Sequence, residues 1–249
     1  MLDLSCLRED FNPISKFYQY TKYKIEFMKE HPNYFYPDGL TVFVGPQGSG
    51  KSLSAVNYVY NLARKYPKAK IVTNVYLTDF PFDNERVFPF ENAEDLSKYN
   101  NGELGVIYLI DEIQLYFNSL ESKNINPEVM VQISQQRKQR KHIVATSQVF
   151  GRMAKPLREQ FSNVVVCKNY FKFLQKNQLV DRDSIDESTD DSHISGKVLK
   201  TCWYIHYKEY YRRYDTYYTI SRTKFISQEL KKGDIYNYGS NNIQSNNSR

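Results

Sequence analysis

The chain reads as an α/β fold: a mostly parallel sheet flanked by helices, with a small C-terminal β-hairpin extension. Three observations predict it. Short apolar, β-branched runs alternate with helical stretches between residues 40 and 168, the pattern of strands joined by crossover helices. One of these runs, Val106 to Ile110 (VIYLI), is apolar without interruption, as a strand covered on both faces must be. Another, Thr41 to Val44, enters a glycine-rich loop and emerges into the helical periodicity of LSAVNYVYNLARKY.

That loop, Gly45 to Ser52, reads GPQGSGKS and has the spacing G-x-x-x-x-G-K-S. With a strand before it and a helix after it, this is the phosphate-binding loop of P-loop NTPases. Gly45, Gly48 and Gly50 let the backbone wrap an anion that side chains would block. Backbone N–H groups of Gly45, Pro46, Gln47, Gly48, Ser49, Gly50, Lys51, Ser52 and Leu53 (proline excepted) form the expected nucleotide cradle, together with the helix N-terminus. Lys51 is expected to reach the β- and γ-phosphates of ATP, and the Ser52 hydroxyl to ligate Mg²⁺.

The elements follow in order. Residues 1–39 form a lead-in whose stretch Phe17 to His31 is helical by period, broken by Pro32, Pro37 and Asp38-Gly39. This helix is expected to pack on the flank of the body, with an arm that contacts DNA or another protomer as the alternative. Lys70 to Val75 reads as the second strand, and Thr78 to Asn92 as an irregular loop with Pro81 and Pro89. A short helix capped by Asn92 precedes the Asn101-Gly102 turn. Glu128 to Lys141 reads as a helix, His142 to Thr146 as a strand, Pro156 to Asn163 as a short helix and Val164 to Cys167 as a strand. The core therefore spans residues 40–168. Residues 169–232 read as a β-rich, tyrosine-dense extension carrying an acidic, serine-rich loop at 181–196. Residues 233–249 are polar and poor in apolar groups, and are expected to be disordered.

Asp111-Glu112 closes the apolar strand VIYLI. In a P-loop protein such a strand delivers Asp111 beside the loop as a metal-site carboxylate, and Glu112 is then placed to take a proton from the attacking water. That pair marks an ATP-hydrolysing, RecA-like (ASCE) P-loop NTPase. In the sheet order it implies, the strand HIVATSQ lies between the two motif strands. Gln148 is the residue expected to sense the γ-phosphate, with Ser147 and Thr146 as alternatives. Residues 131–168 carry Arg137, Lys138, Arg140, Lys141, Arg152, Lys155, Arg158 and Lys168, opposed only by Glu159. Such an excess suits phosphate contacts, or an arginine offered to a neighbouring protomer's γ-phosphate, for which Arg137 and Arg140 are the candidates.

Composition narrows the class. No run of eighteen apolar residues occurs, so no membrane span is expected, and MLDLSCLRED lacks a signal-peptide core. Cys6, Cys167 and Cys202 are odd in number and scattered, which suits a reducing cytoplasm and excludes a disulfide framework.

GPQGSGKS, LIDEIQLYF and QQRKQRKHIVATSQVFGRMAKPLREQF together resemble the FtsK–HerA superfamily of P-loop ATPases, in particular its zonula-occludens-toxin-like branch and the viral DNA-packaging ATPases. A weaker match is YRRYDTYYTISR, similar to the tyrosine-bearing tail after such cores. The resemblance implies phosphate and Mg²⁺ roles for Lys51 and Ser52, metal and base roles for Asp111 and Glu112, a sensor role for Gln148 and an arginine-finger role for Arg137 or Arg140. It implies a homo-oligomeric ring that drives double-stranded DNA through a central channel by backbone contacts, with a viral portal or assembly protein as a further partner. Filamentous-phage members carry a membrane span after the core; its absence here points to a packaging motor in the host cytoplasm. Two other readings stay open: a virion-assembly or secretion ATPase with a separate membrane partner, and a non-motor nucleotide switch.

Overall fold

The computed structural model describes residues 12–37, 39–81, 84–117, 127–185 and 196–215. Eight runs form strands: β1 (Gly39–Val44), β2 (Lys70–Thr73), β3 (Val87–Pro89), β4 (Val106–Ile110), β5 (Lys141–Ser147), β6 (Phe161–Tyr170), β7 (Leu174–Val180) and β8 (Val198–Ile205). The helices are α1 (Pro13–Glu30), α2 (Lys51–Lys65), α3 (Asp95–Lys98), α4 (Pro127–Ser134), α5 (Lys155–Arg158) and α6 (Lys208–Tyr211). All eight strands join one sheet in the order β3-β2-β4-β5-β1-β6-β7-β8. The strands from β3 to β6 run parallel, and β7 and β8 add antiparallel strands.

Alternation decides which layer each strand feeds. Leu40, Val42 and Val44 of β1 join Val106, Tyr108 and Ile110 of β4 in a core layer covered by α3, α4 and α5. Phe43, Ile107 and Leu109 point the other way and meet Leu53, Val56 and Val59 of α2. Every residue of β1, β4 and β5 is buried, as expected of central parallel strands covered on both faces. β5 lies between β4 and β1, so the three strand ends that carry the motifs are adjacent at one edge.

Several elements differ from the sequence reading. The α4 helix stops at Ser134 and the polar run to Arg140 forms turns, Arg140 having φ 52°. The helix buries Val129 and Ile133 one turn apart; beyond them QQRKQR has no apolar residue to hold a further turn on the core. Lys141 opens β5 and is buried, its ammonium donating to the Leu96 carbonyl at 2.6 Å, with a pKa lowered by burial. It therefore leaves the basic surface. The loop between β2 and α3 contains the edge strand β3. The strand expected at Val164–Cys167 extends over Phe161–Tyr170 and runs through residue 168, so β7 and β8 prolong the core sheet.

The lead-in helix is the largest departure. No residue of α1 is buried, and Ile14, Phe17, Tyr20, Tyr23 and Met28 are exposed. Its attachment is at its C-terminal end. Phe27 meets His31 and Tyr34, His31 contacts the Glu103 carboxylate at 3.2 Å, and Phe35 enters the core. Phe35 fits because Gly105, at φ 72°, has no Cβ; one placed there would lie 2.2 Å from the Phe35 ring. Of the residues expected to be acidic loop, 186–195 lie outside the described residues, as do the tail 233–249 and the tyrosine-bearing segment beyond Asp215.

Candidate functional site

The C-terminal ends of β1, β4 and β5 bring the two motifs together. Gly50 caps α2 at φ 81° and ψ 21°, a left-handed conformation that favours glycine. A Cβ there would also fall 2.1 Å from the Gln175 amide oxygen. Pro46, Gln47 and Gly48 are exposed at the crest of the loop, while Ser49 and Lys51 are buried. The Lys51 ammonium donates to the Pro46 carbonyl at 3.1 Å. The Ser49 hydroxyl is buried without a hydrogen-bond partner. Leu53 turns its side chain into the core beneath the loop.

Across from the loop, the Ser52 hydroxyl donates to Asp111 Oδ1 at 2.8 Å. The Thr146 hydroxyl donates to the same oxygen at 2.6 Å and accepts the Glu112 N–H at 2.9 Å. Asn74, just beyond β2, holds the Asp111 peptide from both sides: its amide donates to the Asp111 carbonyl and its oxygen accepts the Asp111 N–H, each at 2.8 Å. Burial pushes the Asp111 pKa up, against the two hydroxyl hydrogen bonds. A buried carboxylate in this position gains from a cation.

Glu112 has φ 53° and ψ 53°, a left-handed conformation that side chains of L-residues adopt at a cost. Its carboxylate accepts from the Gln148 amide at 3.0 Å and from the Gln114 amide. The structure thus brings Lys51, Ser52, Asp111, Glu112, Thr146 and Gln148 into one place. Ser147 turns away and donates to the Val149 carbonyl. Arg137 and Arg140 precede β5 and lie at the opposite edge of the sheet, where the Arg140 guanidinium stacks 3.7 Å from the Tyr34 ring centre. The seven residues of β5 separate them from the loop of the same chain by roughly 20 Å.

Sequence reasoning missed a set of residues behind the loop. Gln175 of β7, fully buried, donates to the Ser49 carbonyl at 2.9 Å and also to Asn177. Its oxygen faces His206 Nε2 at 3.2 Å, and burial lowers the His206 pKa. Tyr204 and Asn177 hold the hydroxyl of Ser54 in the first turn of α2. Cys167 is beside them, with its thiol pushed up to about 12 by burial; it is a packing residue, not a nucleophile. Asn74 had a signal, a polar residue closing a parallel strand next to the Asp111 strand. Gln175 had none, since it meets Ser49 across more than a hundred residues of chain.

The strand order, with β5 between the strand of the phosphate loop and the strand of Asp111, is that of the RecA-like P-loop NTPases. Residues 39–210, more than two thirds of the chain, match the family described as Zonular occludens toxin (Zot). The chain belongs to the Zot family. Among solved structures it is similar to the N-terminal domain of zonular occludens toxin from Neisseria meningitidis, at 17% identity and a TM-score of 0.50, over 72% of this chain and 100% of that one; this is a likeness of fold. Lower scores relate it to the DNA-packaging ATPase B204 of Sulfolobus turreted icosahedral virus (14% identity, TM-score 0.46, 66% and 99% covered). The genome packaging NTPase B204 of Sulfolobus turreted icosahedral virus 2, in complex with ATP-gammaS, is similar at 13% identity and a TM-score of 0.45, with 66% and 100% covered. No curated protein matches. Among the described residues of this Zot-family chain, no helix is long and apolar enough to cross a membrane.

Proposed function

We propose that this Zot-family chain hydrolyses ATP and uses the energy to move DNA, working as a ring with the nucleotide between protomers. The observation that carries the reading is the meeting of Ser52, Asp111, Glu112 and Gln148 at the mouth of the phosphate loop. The loop's N–H groups and Lys51 would bind the phosphates, the ammonium exchanging the Pro46 carbonyl for a phosphate oxygen. The orphaned Ser49 hydroxyl supports an anion there. Ser52 and Asp111 offer two hard oxygens, and burial of the carboxylate favours a cation. No cluster of three carboxylate, His or Cys side chains for a metal occurs among the described residues, which suits Mg²⁺ held partly by phosphates and water. Bound there, Mg²⁺ would neutralise charge on the transferring phosphoryl group.

Glu112 would accept the proton of the attacking water on its carboxylate, with Gln148 orienting it through the 3.0 Å hydrogen bond. Since the described arginines 137 and 140 stand at the far edge of the sheet, their contribution would come from one protomer to its neighbour. The phage-packaging role, the host cytoplasm as its place and backbone contacts to DNA complete the reading. Residues 1–39, 40–168 and 169–232 would serve as arm, motor core and extension.

The test is the steady-state ATPase rate with and without DNA over a range of protein concentrations at low salt. DNA stimulation that steepens with protein concentration is expected. Glu112→Gln should lower turnover by about 10²–10⁴-fold while retaining bound ATP. A rate indifferent to DNA would remove the translocase, and unchanged turnover in Lys51→Ala would remove the site.

A further inference from the structure

The antiparallel end of the sheet has one face turned to the phosphate loop and one turned to solvent. Gln175 pairs with Tyr204 across β7 and β8, and both point to the loop and α2. The next pair, Lys176 and Trp203, points the other way, as do Lys168 opposite Lys176 and Tyr170 opposite Leu174. On this open face Tyr170 and Trp203 stack, with ring centres 5.8 Å apart and planes 29° from parallel. Trp203 is 51% exposed, and the Lys176 ammonium sits 5.3 Å over its ring.

Two features of this face are unfavourable for a surface meant only for water. Lys168 and Lys176 are direct cross-strand partners, and like charges so placed repel. Residues 161–180 contain no Asp or Glu, and neither do residues 197–208, which add Lys197, Lys200 and Lys208. At the tip, β6 turns into β7 through Phe171, Lys172 and Phe173, the first two with φ 53° and 64°. Left-handed positions favour glycine or asparagine; here the first presents Phe171, 80% exposed and stacked on Phe173. Paired cations beside exposed, stacked rings complement a chain of phosphates carrying flat bases.

We propose that this face is a binding platform for single-stranded nucleic acid, with Tyr170 and Trp203 stacking unpaired bases and Lys168 and Lys176 contacting the phosphates between them. Stacking needs bases out of a duplex, so the occupant is an unpaired strand. The proposal deepens the DNA-motor reading and rests on it only for the expectation of DNA. The platform is on the reverse of the residues that hold Ser49 and Ser54, so only the thickness of the sheet separates a strand bound here from those residues.

The chain contains one tryptophan, so Trp203 is its own reporter. Titration of the full chain with oligo(dT), without nucleotide and at low salt, should quench Trp203 emission to saturation. Duplex of equal length should quench it far less. Lys168→Ala/Lys176→Ala should weaken binding, measured by anisotropy of labelled oligo(dT), and lower its log–log salt dependence by about 1.4, about 0.7 for each phosphate no longer neutralised. Tyr170→Ala, at an exposed site that leaves the reporter in place, should weaken binding roughly tenfold, with the circular dichroism unchanged. Binding of oligo(dT) with unaltered Trp203 emission, or equal binding by all variants, would overturn the platform and leave the motor reading to basic surfaces elsewhere. Failure to bind any DNA would overturn both. Emission already blue-shifted and indifferent to oligonucleotide would mean that a protein surface or membrane covers the face, and would also overturn it. Quenching in a chain whose ATPase ignores DNA would sustain the platform while the motor reading fails.

Discussion

At the scale of single residues, the site is an arrangement of backbone as much as of side chains. Asp111 and Glu112 are adjacent in sequence, yet their carboxylates face different partners: one the Ser52 and Thr146 hydroxyls, the other Gln148. The left-handed backbone at Glu112 and the grip of Asn74 on the Asp111 peptide make that divergence. Asn74→Ala would leave an N–H and a carbonyl at the strand end without their partner, at a cost of about 1–3 kcal/mol. We expect a melting temperature lower by several degrees and a loss in kcat larger than any change in KM for ATP. An unchanged kcat would show that the strand end keeps its shape without the clamp. The motif residues were legible from sequence because phosphate chemistry constrains type and spacing together. Asn74 and Gln175 were not, because a side-chain amide that satisfies a buried backbone group can come from any strand that passes nearby.

At the scale of elements, the parallel strands were readable because burial on both faces leaves an unbroken apolar run, and Val106–Ile110 is one. Elements held by contacts across the chain were harder to read. The α4 helix ends where its apolar residues end, and α1 has helical period with no surface to cover. Since α1 buries none of its residues, removal of residues 1–30 should leave the melting temperature of the body within about 2 °C, less than 1 kcal/mol at this size. A drop of about 6 °C or more would mean that the aromatic side of α1 contributes to the core. β7 is the opposite case. It extends the sheet, and through Gln175 it holds the glycine-rich loop at Ser49. Gln175→Ala should weaken ATP binding and destabilise the chain by about 1–3 kcal/mol, because the buried Ser49 carbonyl and His206 lose a partner. Calorimetric titration with a non-hydrolysable ATP analogue reads the first effect and thermal melting the second; normal affinity would show that the loop holds its shape unaided.

At the scale of the whole molecule, the sheet separates two chemistries. One edge gathers the phosphate loop, Asp111, Glu112 and Gln148; the other carries Arg137 and Arg140, with Arg140 stacked on the Tyr34 ring beside the root of α1. An arginine there reaches a γ-phosphate only if another copy supplies the phosphate, which gives the ring reading a test that needs no image of a ring. Lys51→Ala chains keep the arginines and lose the site, whereas Arg137→Ala/Arg140→Ala chains keep the site and lose the arginines. Each variant alone should be nearly inactive. Mixed in equal amounts and allowed to exchange, they should recover about a quarter of the parental ATPase rate, since half the sites are intact and half of those face an intact arginine. Recovery should grow with protein concentration. If the arginine variant is active alone, these residues take no part in turnover. If the mixture stays as inactive as its components while both remain folded, the arginines serve their own chain, and the far edge of the sheet is a structural surface and not the seam between protomers.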